Sequence, residues 1–278
     1  MTDVIDASEP TSRPRRRHVP SLGVHHRPTR VAETIGSGSQ LVDLHLTAGR
    51  SLDAVVAPIG RTVVVVPHPD DEALAAGGLM AHQRARGREV VVVAVTDGDA
   101  AYPDWNGDEL ARVRRREQLD ALAVLGVGRH AVHRLGVPDG TAARHVDEIA
   151  AELLDIVSPG DTLVAPAQFD WHPDHEACGR AAATAAEDVG CSLLGSLFWA
   201  HHHPDHAPAE LSLGVLTLSR DEGARRRAAV NAHRSQLEPS PRTSADPILP
   251  VELLGLLDRP VEYYVLGHAV TQASGGVT

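Results

Sequence analysis

Two valine-rich runs constrain the fold of this 278-residue chain more than any other feature of its sequence. Residues 62–66 are all β-branched, and residues 90–95 are valine except for one alanine, as expected of strands that a parallel sheet buries on both faces. Between them, residues 73–86 have helical character and end at Gly87. The alternation continues, with helices predicted at 109–125, 146–157 and 176–189 and strands at 131–135, 162–165 and 193–200. It predicts an α/β, Rossmann-like three-layer fold with a mostly parallel sheet.

The chain divides into three predicted segments. Residues 1–30 mix proline, serine, arginine and histidine without apolar periodicity, which is typical of a poorly ordered arm. Residues 31–60 contain scattered leucines and are predicted to pack on the main domain as an extension. Residues 61–270 carry the strand and helix pattern and are predicted to form one domain, large enough to bury its own core.

Charge, targeting signals and cysteine usage limit the partners of this protein. The formal net charge of -11 argues against a general nucleic-acid-binding protein, because such proteins bind phosphate with clustered lysine and arginine. The arginines near Pro14 precede no apolar run, so neither a secretory signal nor a membrane anchor is predicted. Cys178 and Cys191 cannot build a disulfide framework for a chain of this size, which indicates a reducing compartment. We therefore predict a cytoplasmic protein that acts on a small molecule, with no nucleic-acid or membrane partner, and leave a homo-oligomer open.

Two loops rich in histidine and carboxylate follow predicted strands. The first, Pro67-His68-Pro69-Asp70-Asp71-Glu72, comes directly after residues 62–66, and the second, His172-Pro173-Asp174-His175, follows the strand at 162–165. Ligands in parallel α/β sheets bind at the carboxyl ends of the strands, so both loops are expected at one edge of the sheet. Two such loops can converge on a metal ion.

The donors in these loops fit a hydrolytic zinc site. Such sites use three protein ligands and leave a position for water. His68, Asp71 and His175 make a set of two histidines and one carboxylate. Asp70 and His172 are then left beside the metal as acid–base candidates, Asp70 to take a proton from water and His172 to stabilise the oxyanion or protonate the leaving amine.

Simpler interpretations exist for parts of both loops. The first loop could be a polar turn in which Asp70 or Asp71 caps the following helix. A second copy of the later motif, His203-Pro204-Asp205-His206, could supply His206 as the third ligand instead of His175. The sequence favours His175, because an alanine-rich helix follows it, whereas a proline-containing loop follows His206.

Together, the two motifs resemble those of the PIG-L/LmbE family of zinc-dependent N-acetylglucosaminyl deacetylases, and the match covers most of the predicted domain. The resemblance implies removal of an acetyl group from an N-acetylated amino sugar, with release of acetate and a free amine. It also implies one zinc ion per chain and a role for each motif residue: His68, Asp71 and His175 as ligands, Asp70 as general base, and His172 at the oxyanion.

Weaker parts of the resemblance imply contacts with the sugar. Asp97 follows the second strand, Arg114 lies on the next predicted helix, and Asp139 follows the third strand. Two alternatives stay open, since Arg114 belongs to a run of three arginines typical of a solvated helix face, and Asp139 precedes a glycine that shapes turns. Residues 233–237 and 262–264 also match the family, where they are expected to support the pocket.

Four other functions compete with sugar deacetylation. An amidase acting on a thiol conjugate or a natural-product amide would use the same metal chemistry. Two histidines and a carboxylate also suit an iron(II) oxygenase, but those sites are expected in all-β barrels rather than in this alternating pattern. A nicotinamide oxidoreductase would need a GxGxxG segment after a strand, which the sequence lacks. A non-catalytic sugar-binding protein would bind without turnover.

Overall fold

The computed structural model describes residues 50–52, 60–103, 105–208, 211–240 and 246–267. The arm predicted at 1–30 and nearly all of the extension predicted at 31–60 lie outside the described residues, so the proposed segment boundaries stay predictions. Of the extension, Arg50–Ser51 forms a short strand and the Leu52 side chain is fully buried.

Eight strands form one sheet within the described part of the chain. In chain order they are β1 (Arg50–Ser51), β2 (Thr62–Val66), β3 (Val90–Ala94), β4 (Val132–Arg134), β5 (Thr162–Pro166), β6 (Ser192–Ser196), β7 (Leu213–Thr217) and β8 (Val261–Leu266). Their order across the sheet is β1-β7-β8-β6-β5-β2-β3-β4. Strand β8 is antiparallel to both neighbours, and the other pairs are parallel. The prediction of a mostly parallel sheet is confirmed.

Helices follow most of the strands. In chain order they are α1 (Asp71–Ala85), α2 (Gly107–Val124), α3 (Val146–Ile156), α4 (Pro173–Val189), α5 (Trp199–His202), α6 (Arg220–Val230) and α7 (Arg234–Leu237). Short 3-10 segments lie at Arg129–Ala131, Ala142–Arg144, Pro204–His206 and Val251–Asp258. Among the described residues, no helix combines the length and apolar character that a membrane span requires.

The sheet has an aliphatic core on each face. Val64 of β2 packs in one cluster with Leu79 of α1, whereas the preceding Val63 packs in a second cluster with Ile149 of α3 and Ala181 of α4. Every residue of β2 and β3 is buried, because alternate side chains enter opposite clusters. Helices cover both faces, which accounts for the continuous valine runs and gives the predicted three layers.

Three predicted helix starts are too late. Helix α1 begins at Asp71, two residues before its predicted start. Helix α2 begins at Gly107, two residues before its predicted start, because the Asn106 side chain accepts the backbone N–H of Glu109 at 3.0 Å. Helix α4 begins three residues before its predicted start, at Pro173, a residue that fits the first helical turn because it has no N–H to leave unpaired.

The strand predicted at 193–200 is also too long. Strand β6 ends at Ser196, and the chain then turns into α5. Asp170 accounts for the turn, because its Oδ1 atom accepts the backbone N–H groups of Phe198 at 3.0 Å and Ala200 at 2.9 Å. These N–H groups are therefore not available to a neighbouring strand.

Candidate active site

The loops after β2 and β5 lie side by side, because these strands are parallel neighbours in the sheet. The first loop leads into α1 and the second into α4, so both motifs reach the carboxyl edge at the start of a helix. The loop after β3 joins them there, since the Thr96 hydroxyl donates to the Pro67 carbonyl oxygen at 2.8 Å. Three loops thus meet at one edge of the sheet.

Asp71 lies between the two histidines that were predicted to bind a metal. Its Oδ2 atom is 3.3 Å from Nδ1 of His68, and its Oδ1 atom is 3.3 Å from Nε2 of His175. The centroids of the two imidazoles are 5.5 Å apart. Burial alone would raise the pKa of Asp71, but His175 and His68 hold it far below its ordinary value. One ionised carboxylate therefore faces two imidazoles at a buried point.

Asp170 orients His175. Nδ1 of His175 donates to Oδ2 of Asp170 at 2.8 Å, so Nε2 is the nitrogen that faces Asp71. Nε2 is buried and has no hydrogen-bond partner among the described residues. Burial would lower the pKa of His175, yet Asp71 and Asp170 raise it to about 9, so a cation is favoured at this nitrogen. Metal-binding histidines are oriented by a carboxylate in the same way, and the residues therefore fit a metal ion.

Two further carboxylates contact the other ring nitrogen of His68. Nε2 of His68 is 3.2 Å from Oδ1 of Asp139 and 3.2 Å from Oδ2 of Asp174. Burial would lower the pKa of His68, but these carboxylates raise it well above its ordinary value. Within the described residues, two donor groups are compact enough for a metal ion, and both contain His68: one adds His172 and His175, and the other adds Asp139 and Asp174. Asp71, the predicted carboxylate ligand, belongs to neither group, so its place among the ligands stays a prediction.

Asp70 lies beside this cluster in a strained conformation. Its φ of 136° is one that residues with a side chain rarely adopt. Asp70 is the N-cap residue of α1, as the alternative of a capping turn predicted, but its buried side chain makes no capping hydrogen bond, so capping does not account for the carboxylate. Burial and the neighbouring Asp71 raise the pKa of its carboxyl to about 7, against the opposing effect of Arg114 and His233. A carboxyl with a pKa near neutrality suits a group that exchanges protons.

His172 is a neutral histidine at the edge of the cluster. Its Nδ1 atom accepts the backbone N–H of Asp174 at 3.2 Å, so the ring proton is on Nε2. Burial and the charges of His68 and His175 lower its pKa to about 3. Its ring centroid lies 5.0 Å from that of His68 and 5.1 Å from that of His175. At neutral pH its Nε2–H group is therefore available as a hydrogen-bond donor, and the same residue belongs to one of the two metal-compatible groups.

Arg114 is buried, so the alternative of a solvated helix face is wrong for this residue. It is 3% exposed, and its Nη1 atom donates to the Gly98 carbonyl oxygen at 2.6 Å while Nη2 donates to Oε1 of Gln236. Its charge acts to lower the pKa of Asp70. Arg114 thus supports the Asp70 side of the site, and its contact with a substrate stays a prediction.

Gly98 leaves room for Arg114, and we expect Gly98→Ala to lower the free energy of unfolding by about 2 to 4 kcal/mol. Its φ is 64°, and a Cβ atom there would overlap Nη1 of Arg114. Gly190 is a matched control, because its φ is 74° and a Cβ atom would meet nothing within 4 Å. Gly190→Ala carries only the backbone cost of about 1 to 2 kcal/mol. Thermal unfolding compares the two variants, and equal losses would contradict the packing role of Gly98.

The other two predicted sugar-binding carboxylates have different surroundings. Asp97 is buried and forms ion pairs with Arg115 and with Arg134, the latter at 3.2 Å. Asp139 accepts the backbone N–H of Ala100 at 3.0 Å and belongs to the donor cluster described above. Asp97 is therefore held by arginines, whereas Asp139 faces the cluster itself. Their contacts with a substrate stay predictions.

Asp174 is a member of the cluster to which the sequence assigned no role. Its Oδ2 atom accepts the N–H of Gly140 at 2.9 Å, and its Oδ1 atom accepts the N–H of Ala142 at 3.0 Å. These bonds tie the loop after β4 to the first turn of α4. In the sequence, the position of Asp174 between the two histidines of the second motif was the signal that could have indicated this role.

Glu72 is a second residue whose role the sequence did not indicate. It is fully buried, and its Oε1 atom lies 2.8 Å from Nε2 of His233. Its Oε2 atom accepts the backbone N–H of Asp70 at 3.2 Å and the Gln118 side-chain amide at 3.0 Å. Burial would lower the pKa of His233, but Glu72 raises it above its ordinary value. The Glu72–His233 pair thus supports the strained backbone at Asp70.

His206, the alternative third ligand, lies away from the donor groups. It is exposed on the 3-10 segment Pro204–His206, and among the described residues its ring contacts are with Trp171 and His203, at centroid distances of 6.4 and 6.3 Å. The geometry gives this alternative no support.

Comparison with known proteins identifies deacetylases among the relatives of this chain. The family model for GlcNAc-PI de-N-acetylase (PIG-L) matches residues 63–186. The chain is 30% identical over 265 residues to a 1D-myo-inositol 2-acetamido-2-deoxy-alpha-D-glucopyranoside deacetylase of Mycolicibacterium vanbaalenii, and the match covers 74% of this chain and 90% of that protein. It is 30% identical over 134 residues to a probable N-acetyl-alpha-D-glucosaminyl L-malate deacetylase 2 of Bacillus subtilis, covering 45% of this chain. The chain spans 60% of the length of that second relative.

A solved structure resembles the fold as well. The N,N'-diacetylchitobiose deacetylase from Pyrococcus horikoshii matches with a TM-score of 0.59 over 85% of this chain and 94% of that chain, at 18% identity. At this identity the likeness concerns the fold alone.

Proposed function

The chain belongs to the PIG-L family of GlcNAc-PI de-N-acetylases, and from this premise we propose that it is a metal-dependent N-deacetylase. It would hydrolyse the acetamide of an N-acetylated amino sugar to acetate and a free amine. The observation that carries the proposal is the buried Asp71 carboxylate between His68 and His175, with an acid–base carboxyl and a neutral imidazole beside it.

We propose zinc as the metal, one ion per chain, with His68, Asp71 and His175 as its ligands. Zinc in such a site acts as a Lewis acid on a carbonyl oxygen and makes water more acidic. The Nε2 atom of His175, which faces Asp71 at 3.3 Å without a hydrogen bond, and the orienting carboxylate of Asp170 support this assignment. Asp139 and Asp174 lie on the other nitrogen of His68, where they hold the ring in place.

Asp70 is the proposed general base. Its carboxyl, with a pKa of about 7, takes a proton from the attacking water and returns it to the amine nitrogen when the C–N bond breaks. The Nε2–H group of His172 donates to the carbonyl oxygen as negative charge develops there. The buried charge of Arg114 favours the ionised form of Asp70, which is the form needed for the first step.

The substrate is proposed to be an N-acetylglucosamine-type glycoside or conjugate. The relatives named above are deacetylases of 2-acetamido-2-deoxyglucopyranosyl inositol and of N-acetylglucosaminyl malate. Asp139, Arg114 and Asp97 are the proposed contacts with the sugar. A cytoplasmic location, a possible homo-oligomer and the absence of nucleic-acid or membrane partners stay predictions.

The competing functions differ in how they fit the molecule. An amidase acting on a thiol conjugate or a natural-product amide is the nearest alternative, because the same donors would serve any acetamide. The iron(II) oxygenase was expected in an all-β barrel, whereas this fold is a mostly parallel α/β sheet. A non-catalytic sugar-binding protein would bind an acetamido sugar without releasing amine or acetate.

A screen of acetamido compounds tests the proposal. Zinc-loaded protein is incubated with N-acetylglucosamine, its inositol and malate conjugates, and an acetylated thiol conjugate, and both amine and acetate are measured. We expect equal amounts of the two products from at least one sugar compound. Protein that binds no metal with His68 and His175 intact would contradict the proposal, and so would amine release from the thiol conjugate alone.

A further inference from the structure

An aromatic rim borders the candidate active site, and we define it as Trp171, Trp199 and His203. The rings of Trp171 and His203 are stacked, with centroids 3.6 Å apart and an interplanar angle of 10°. The Trp199 ring lies 6.2 Å from that of Trp171 at an angle of 41°. Trp199 also lies 6.4 Å from His172, with ring planes 24° apart. The aromatic rim therefore extends outward from the proposed oxyanion donor.

The aromatic rim uses residues that are scarce in this chain. Aromatic residues make up 3% of the sequence, and two of its three tryptophans belong to the rim. The third, Trp105, is buried with Tyr102 and Leu110, as expected of a residue that packs a core. Trp171 is instead 40% exposed, which is unusual for a large apolar side chain in the described part of this protein. Core packing does not account for its position.

Trp171 also has an unfavourable backbone conformation. Its φ is 67°, in the left-handed region that favours glycine and asparagine. Strain of this kind is retained where the surroundings need the side chain in that place, and such positions cluster at ligand sites. The next residue is His172, which caps α4. An exposed tryptophan in a strained turn beside the site indicates that a ligand uses it.

The geometry restricts what the rim can bind. His203 covers one face of Trp171, so the exposed surface of Trp171 lies on its other face and edges. Burial and the neighbouring His206 lower the pKa of His203, so the stacked pair is uncharged at pH 7. An uncharged aromatic face packs well against another flat ring, through offset or edge contacts.

We propose that the aromatic rim is a binding subsite for a second ring of the substrate, joined to the acetamido sugar through its anomeric oxygen and packed on Trp171. The inference rests on the proposed deacetylase function, because the first ring must place its acetamide beside Asp70 and His172. The second ring is a sugar or an aryl group, since both offer a flat face.

Trp171→Asn tests the subsite, because it removes the ring and suits a positive φ. The substrates are N-acetylglucosamine with one ring, and N,N'-diacetylchitobiose and phenyl 2-acetamido-2-deoxyglucoside with two. We expect KM for at least one two-ring substrate to rise about tenfold, as the loss of a good aromatic contact predicts. For N-acetylglucosamine, kcat/KM stays within about twofold of the unsubstituted protein, because no ring reaches the rim.

Two further variants serve as controls. Leu154→Asn removes a side chain of similar exposure, 38%, from α3, and it is expected to leave every substrate unchanged. His203→Ala removes the ring that supports Trp171 and is expected to raise KM for the two-ring substrate less than Trp171→Asn does. Thermal unfolding of each variant shows whether the fold is kept.

The outcomes separate the subsite from the proposed function. An increase in KM for the phenyl glycoside alone assigns an aryl group, and one for chitobiose alone assigns a sugar. Equal effects on one-ring and two-ring substrates, or no effect on either, would overturn the subsite. If no compound releases an amine, the deacetylase function fails instead, and calorimetric titration of the phenyl glycoside decides the subsite. Weaker binding by Trp171→Asn supports it, and equal or undetectable binding by both proteins overturns it.

Discussion

Asp70→Asn is expected to lower kcat roughly 10²- to 10⁴-fold while the protein keeps its metal, because the substitution removes the proposed general base and little else. The amide cannot accept the proton from water, but it has nearly the same shape as the carboxyl. Asparagine has nearly the same bulk and branching as aspartate, so the substitution adds no new steric strain to the backbone at φ 136°. Turnover is measured with a sugar found in the screen, and metal content by elemental analysis.

Asp97→Asn is the matched control for this variant. It also removes one buried carboxylate from the same sheet edge, but one that Arg115 and Arg134 hold. We expect it to raise KM or lower stability and to leave kcat nearly unchanged. Unchanged turnover in Asp70→Asn would remove Asp70 from the base role, and loss of metal would place Asp70 among the ligands.

His175→Ala is expected to lose both the bound metal and measurable turnover. His175 contributes the buried Nε2 atom that faces Asp71, and its removal leaves Asp71 and Asp170 as buried carboxylates without their imidazole partner. A buried charge that loses its partner also destabilises the fold, so a lower melting temperature is expected alongside the loss of metal. Metal content after dialysis, circular dichroism and turnover are the three measurements.

Two variants show whether that loss is specific. His201→Ala removes another buried histidine, on α5, that belongs to neither donor group among the described residues, and it is expected to keep one metal ion per chain. Asp170→Asn keeps His175 but weakens its orientation, so metal affinity is expected to fall about 10- to 100-fold. Full metal content in His175→Ala would show that His175 is not a ligand.

The layered fold could be predicted because its signal is local. Every residue of β2 and β3 is buried, so burial of the sheet on both faces is visible as five consecutive apolar or β-branched residues in each strand. The ends of helices and strands were harder to predict from the sequence. Helix α2 begins where Asn106 accepts a backbone N–H, and β6 ends where Asp170 takes the N–H groups of Phe198 and Ala200. Local periodicity does not contain such side-chain bonds.

Part of the candidate site could likewise be predicted from the sequence, and part could not. Strand-end positions in the sequence were enough to place His68, Asp71 and His175 at one edge, because parallel neighbouring strands end together. The position of the two motifs at one edge thus follows from their order in the sequence and from the topology of the sheet.

Only the tertiary structure decided which groups hold these side chains in place. Glu72 pairs with His233, which is 161 residues away, and the Asp97 carboxylate is held by Arg115 and Arg134. The strand and helix pattern depends on which positions are buried among residues close together in the sequence. The sequence alone therefore determined the fold class and the positions of the motifs. The pairing of polar groups over long separations depends on how the helices pack on the sheet, because a buried charge is stable only where that packing brings it a partner.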